Sequence, residues 1–122
     1  MNINIYIPEY ETETVHQYYS GSRICTRVVG VTFNGRQAVI ARLDFGEEIL
    51  LRREPTNPYD LNAISVERQN GQQIGYINRY LAAALVPFFD AHPKPVSANI
   101  QCLTGYPELG YSLGVVIIFN VP

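Results

Sequence analysis

Asn2 to Ile7 alternates polar and apolar residues as a half-buried strand does, and Pro8 then breaks the pattern. An N-terminal edge strand or arm is predicted. Three β-rich runs follow: Cys25 to Phe33, closing on Asn34-Gly35; Ala38 to Asp44; and Glu48 to Arg53, ending at Glu54-Pro55. Asn-Gly is a strong hairpin signal. After the polar loop Thr56 to Asn62, a strand over Ala63 to Arg68 turns at Asn70-Gly71 into Gln73 to Ile77, which reads as a second hairpin. The period then changes. Asn78 is a good helix cap, and Arg79 to Leu85 is rich in the strong helix formers Ala and Leu. Pro87 should kink or restart that helix, with Phe88 and Phe89 set against the core. Pro93 and Pro95 force an extended crossing into Val96 to Leu103, and the loop Gly105 to Gly110 precedes a final strand, Tyr111 to Val121. About six to eight short strands around one main helix predict a mainly β fold with a small α component, a strongly bent barrel rather than a flat sandwich.

Composition sharpens this picture. At 122 residues, 47% hydrophobic and 16% charged, the chain has the size and make-up of one domain with its own core. The formal charge of −2 provides no whole-surface attraction for polyanions. The acids are unevenly placed, however. Glu9, Glu11 and Glu13 make residues 1–24 an acidic arm, and residues 25–122 are read as the domain proper. From Thr14 onward there are eight acids and nine bases, and eight of those bases are arginine, the better fork for phosphate and the better stacker on rings. Any anion site must be local.

Cys25 and Cys102 have no partner at zinc-ligand spacing, and neither a secretory leader nor a disulfide framework accompanies them. They are expected to be reduced and packed inside a cytoplasmic protein. The longest apolar stretch, Gly114 to Val121, is far shorter than the roughly 20 residues a membrane helix requires. Catalytic chemistry is poorly supplied. The histidines His16 and His92 stand in no recognisable triad, Glu54 and Asp60 lack a third acid for metal-dependent cleavage, and the Gly105 to Gly110 loop lacks a phosphate-loop lysine. The reading is a non-enzymatic module that implies no cofactor and no metal.

The segment Arg53-Glu54-Pro55-Thr56-Asn57-Pro58-Tyr59-Asp60-Leu61-Asn62 concentrates polar and aromatic groups in a loop held by strands at both ends. Two prolines stiffen it, so that Asn57, Tyr59 and Asp60 have little entropy left to lose on binding. The same residues are also ordinary turn formers, and Tyr59 could simply cover the core. Both readings stand on composition alone.

Val28-Val29-Gly30-Val31, the block Asn57-Pro58-Tyr59-Asp60-Leu61-Asn62-Ala63, then Gly75-Tyr76-Ile77 and Leu81-Ala82-Ala83-Ala84-Leu85 resemble the HIRAN domain from about Arg27 to Asp90, and more loosely beyond. HIRAN domains occur in Swi/Snf-type DNA-remodelling ATPases and as small stand-alone bacterial proteins. The resemblance implies an OB-like or SH3-like modified β-barrel. It also implies recognition of the 3′ end of single-stranded DNA by its free hydroxyl. Tyr59 and Asp60 match positions that cradle the terminal nucleotide, the aspartate accepting from the hydroxyl; Asn57 matches a further polar contact, and Arg79 a basic phosphate contact. Tyr111 matches a base-stacking aromatic, though an ordinary strand-end tyrosine would look the same. Two departures stand out. Where the better known member has a base followed by two aromatics, this chain has Thr32, Phe33 and Asn34, which leaves Phe33 for stacking and Arg36 as a candidate replacement cation. Tyr76 stands in place of a histidine beside the phosphate. The leading expectation is therefore a non-catalytic module for single-stranded DNA ends, serving a separate helicase, nuclease or repair protein. The alternative is a protein-interaction module of the same fold without the end pocket, which the acidic arm and the missing base favour.

Overall fold

Alternating burial organises three of the barrel strands. In the computed structural model, which describes residues 4–6 and 17–122, the strands are β1 (Asn4–Tyr6), β2 (Arg23–Val29), β3 (Glu48–Arg53), β4 (Ile64–Arg68), β5 (Gln73–Ile77), β6 (Val96–Thr104) and β7 (Gly114–Asn120). Ile24, Thr26 and Val28 of β2, Ile49 and Leu51 of β3, and Val96, Ala98 and Ile100 of β6 point inward, while their sequence neighbours are half-buried or exposed. The strands pair in the order β1-β2-β5-β4-β3-β6-β7, and β7 pairs again with β2. Strands β2 to β7 thus close a six-stranded antiparallel barrel, and β1 adds to β2 in parallel, Asn4 opposite Arg23 and Tyr6 opposite Cys25. Pro8, the acids Glu9, Glu11 and Glu13, and His16 lie outside the described residues.

Two helices complete the domain: α1 (Arg36–Ile40) and α2 (Arg79–Asp90). The Asn78 side chain caps α2, accepting from the Tyr80 and Leu81 N–H groups at 2.9 and 3.3 Å. Leu81, Ala82, Leu85 and Phe89 enter the barrel core, where Phe89 meets Phe119 edge-on at 6.5 Å. The helix runs through Pro87 instead of restarting there. Pro87 is exposed, and the buried anchors Leu85 and Phe89 on either side hold the helix across the missing N–H.

Four other expectations are corrected. The strand foreseen over Ala38 to Asp44 is replaced by α1, and Asn34-Gly35 makes no hairpin. Asn34 and Gly35 do take positive φ (56° and 75°), but the turn feeds a helix that carries Arg36 and Ile40 inward, one turn apart. The last strand starts at Gly114, not Tyr111, because Gln37 of α1 takes the Leu113 backbone, accepting from its N–H at 2.8 Å and donating to its carbonyl at 2.9 Å. Tyr111 sits in the preceding loop, 66% exposed, its N–H donated to the Tyr106 carbonyl. The cysteines are free but not interior. Cys25 faces outward and is half-buried, while a bulge between Ile100 and Cys102 turns Cys102 out to solvent. Burial, with Cys102 beside it, still raises the Cys25 thiol above its ordinary pKa.

The thinnest seam is β2 against β5, where only Val28–Ile77 and Val29–Tyr76 pair. A Cβ at Gly75 would lie 2.3 Å from the Val29 carbonyl oxygen and 2.7 Å from a Val28 methyl, so the barrel closes only around a glycine. Gly75→Ala is expected to destabilise the fold by about 2–3 kcal/mol, lowering Tm by roughly 10 °C in a thermal melt. Tyr18 provides a second check, since burial pushes its hydroxyl up to about 12. The unfolded chain, with tyrosine near its ordinary value of about 10, releases this proton first. The stabilisation is therefore complete below about pH 10 and lost as pH rises through about 12. An absorbance titration should show one tyrosine ionising late, and urea midpoints should fall across that window.

Candidate functional site

The loop between β3 and β4 is tied down at each end. Arg53 donates through Nη1 to the Leu61 and Ala63 carbonyls, both at 3.0 Å, and through Nε to Asp90 Oδ1 of α2 at 2.8 Å. Within the loop, Asn57 Oδ1 accepts from the Tyr59 and Asp60 N–H groups at 2.9 and 3.2 Å, while Nδ2 donates to Glu54 Oε1 at 2.9 Å and to the Tyr76 hydroxyl at 3.5 Å. That hydroxyl donates to Glu54 Oε1 at 2.9 Å, and Asp60 Oδ1 accepts from the Asn62 N–H at 2.8 Å. With its backbone so held, the loop leaves the Tyr59 ring 97% exposed.

Opposite stands the turn after β2. Gly30, at φ 71°, directs the chain out of the barrel, and Arg36 returns from α1 to fill the gap. The residue is 7% exposed, and its guanidinium donates to the Gly30 carbonyl at 2.7 Å and to Gln73 Oε1 and lies 5.3 Å from the centre of the Tyr76 ring. Between these walls and the first turn of α2 is a cavity of about 620 Å³, within the usual range for ligand sites.

Seven of the eight residues singled out by sequence line this cavity: Phe33, Arg36, Asn57, Tyr59, Asp60, Tyr76 and Arg79; Tyr111 does not. Their situations differ. Tyr59 and Phe33, the latter 64% exposed, present bare rings. Arg79 is exposed, lies 5.0 Å over the Tyr80 ring and makes no ion pair among the described residues. Arg36, the candidate replacement cation, has donors turned inward that hold the wall. The amide of Asn57 and the hydroxyl of Tyr76 are engaged with Glu54. At the helix start, the Tyr80 and Leu81 N–H groups are used by the cap, and the Arg79 side chain supplies the exposed cation there. Sequence weighed Glu54, the strut of the loop, only for metal-dependent cleavage and passed over Tyr80; the signals were a carboxylate three residues before Asn57 and an aromatic beside the helix cap. Among the described residues no group of three or more His, Cys, Asp or Glu side chains converges, and no helix is long and apolar enough to cross a membrane. His92 lies with Arg52 and Lys94 in a separate groove of about 230 Å³.

A closed antiparallel barrel with a ring-lined cavity at its thinnest seam has the form of a small binding domain. The HIRAN domain family matches residues 10–101, three quarters of the chain, and the chain belongs to that family. It is 54% identical over 44 residues to the helicase-like transcription factor of Oryctolagus cuniculus, 36% of this chain but 4% of that protein. It is also 34% identical over 80 residues to a putative SWI/SNF-related chromatin regulator, subfamily A member 3-like 1, of Arabidopsis thaliana, 66% of this chain and 8% of that one. The chain thus spans under a tenth of these relatives. Among solved structures, a protein from Lactobacillus plantarum superposes with a TM-score of 0.60 at 26% identity, covering 79% of this chain and 92% of that one. The HIRAN domain of human HLTF does so at 0.57 and 26%, covering 80% and 74%.

Because the cavity's back wall hangs on Arg36, Arg36→Met should leave the Gly30 carbonyl and Gln73 without their donor and destabilise the domain by about 2–3 kcal/mol. Arg36→Lys should recover only part of that, since an ammonium lacks the planar fork. Urea denaturation of the three proteins checks both expectations.

Proposed function

We propose that the cavity binds the 3′ end of single-stranded DNA and reads its free hydroxyl, without chemistry on the strand. The observation that carries this reading is the meeting of Tyr59, Phe33, Asp60 and Arg79 around one cavity although they come from three separate segments. Exposed rings offer base platforms worth about 1–3 kcal/mol per base. Arg79 offers a phosphate contact. Only Oδ1 of Asp60 is used within its loop among the described residues, so its second oxygen remains to accept from a hydroxyl. A carboxylate there repels a phosphate in the same place, which separates a free end from a blocked or continuing strand. Family membership supports the ligand class. With the Arg36 donors turned inward and Tyr76 uncharged, the cavity carries one exposed cation, so base stacking and the end contact supply a larger share of affinity than charge does.

We place this activity in the cytoplasm, as an end-recognition unit whose partners, a separate helicase, nuclease or repair protein, would act on the strand it holds. In fluorescence anisotropy, an oligonucleotide with a free 3′-hydroxyl should bind about tenfold more tightly than its 3′-phosphorylated form. Asp60→Asn should bring the two within about threefold, by removing the repulsion while keeping the shape. Arg79→Ala should weaken both and flatten the slope of log K against log salt by about 0.7, the single-strand value for one phosphate contact. Equal binding of both forms by the unaltered protein contradicts the reading. Nuclease-resistant capture of a protein that tolerates Asp60→Ala would favour an interaction module instead.

A further inference from the structure

The groove of about 230 Å³ that holds Arg52, His92 and Lys94 shares no lining residue with the end cavity, and it opens where β3 and β6 part. Their ladder ends at Leu51 opposite Val96, and the chain before Val96 reads His92-Pro93-Lys94-Pro95. Pro93 and Pro95 have no N–H to offer a neighbouring strand, so this segment does not carry the ladder on. Strand β3 does run on, to Arg53, paired there with β4 alone. The Glu54 N–H donates to the Ala63 carbonyl at 2.9 Å, and successive residues of an antiparallel strand direct their backbone groups to opposite sides. The Arg53 N–H and carbonyl therefore point away from β4 into the opening, where neither has a backbone partner among the described residues. A donor and an acceptor on one free strand edge are what one residue of an added strand requires.

Charge selects the occupant. Lys94 is exposed and makes no ion pair among the described residues, and Arg52, its side chain 49% exposed, shares Glu67 at 3.3 Å. The one carboxylate lining the groove, Asp90, is held by Arg53 at 2.8 Å. The rim thus favours acidic side chains. A nucleic-acid strand fits it less well, because the Arg53 carbonyl would face phosphate, and with Phe89 4% exposed only the His92 imidazole is open to a base. We propose that this groove takes an extended acidic segment of a partner protein, which pairs one residue with the free edge of β3 at Arg53 and sets its carboxylates against Lys94 and Arg52. The backbone bonds fix its register, and the cations supply the preference for acid. The proposal does not depend on what the end cavity binds, and the two ligands have no residue to compete for.

The probes are a fluorescein-labelled hexapeptide of alternating valine and glutamate, its lysine counterpart, and an unlabelled hexathymidylate. In anisotropy titrations the glutamate peptide should bind the unaltered protein about tenfold or more tightly than the lysine peptide, and hexathymidylate should not displace it. Lys94→Glu should weaken the glutamate peptide about tenfold and Lys94→Arg should retain it, while both variants bind a 3′-hydroxyl oligonucleotide within about threefold of the unaltered protein at about 0.15 M salt. Hydrogen exchange reads the pairing itself. In the free protein the Arg53 amide should exchange faster than the Leu51 amide, which β6 holds, and saturating glutamate peptide should slow it by about tenfold or more. Equal binding of the two peptides, or binding of neither, overturns the proposal. So does tight binding with the Arg53 amide unprotected, which leaves a charge contact without an added strand. Displacement of the peptide by hexathymidylate would assign the groove to nucleic acid and overturn it as well.

Discussion

A guanidinium taken out of water must find hydrogen-bond acceptors, and Arg36 finds them where the barrel would otherwise be open. Strand β2 leaves β5 after two residue pairs, and in place of further ladder bonds Arg36 donates to the Gly30 carbonyl and to Gln73. Gln73 in turn donates to Ser65 Oγ of β4 at 2.8 Å. One side chain of a five-residue helix thus joins the exit of β2 to β5 and, through Gln73, to β4. Its Nε has no protein partner among the described residues, so the arrangement is held by the other two nitrogens and by the Tyr76 ring. Without this plug, the short seam at Gly75 would have little to close it.

The cavity follows from that solution. Where β2 turns away, the walls are supplied by the segment carrying Phe33, by the stiff loop carrying Tyr59 and Asp60, and by the capped start of α2. Each wall is fixed by hydrogen bonds within the protein: Glu54 to Asn57 and Tyr76, Arg53 to the loop carbonyls and Asp90, Gln37 to Val31 and Leu113. Two of the polar residues that look most like ligand contacts, Asn57 and Tyr76, are employed in this scaffolding. The groups left for a ligand are rings, one carboxylate and one cation. Such a site is arranged before binding, so less ordering has to accompany it.

Much of this was legible because local chemistry and tertiary structure agree. The Asn70-Gly71 hairpin, the Asn78 cap and the Asn57 to Asp60 loop each satisfy their own backbone groups within a few residues, so spacing alone reveals them. Misreadings fell where a distant residue decides. Val39 and Ile40 favour a strand, yet α1 forms to deliver Arg36 to the seam. Tyr111 would extend β7 by pattern, but Gln37, 76 positions before Leu113, takes the backbone bonds there. Cys102 continues the inward alternation of β6 until a bulge reverses it. Seven of eight candidate site residues share one cavity, while the division between those that hold its walls and those that face its interior needed the hydrogen bonds to become visible.

In the proposed binding mode the ring-lined cavity at the β2–β5 seam, rather than the groove of Arg52, His92 and Lys94, receives the strand. Amide chemical-shift mapping with a short single-stranded oligonucleotide bearing a free 3′-hydroxyl tests it most directly. Perturbations should gather at Phe33, Asn34, Asn57 to Asp60, Tyr76 and Arg79. Shifts centred on Arg52 and His92 to Lys94, with the cavity residues unmoved, would contradict it.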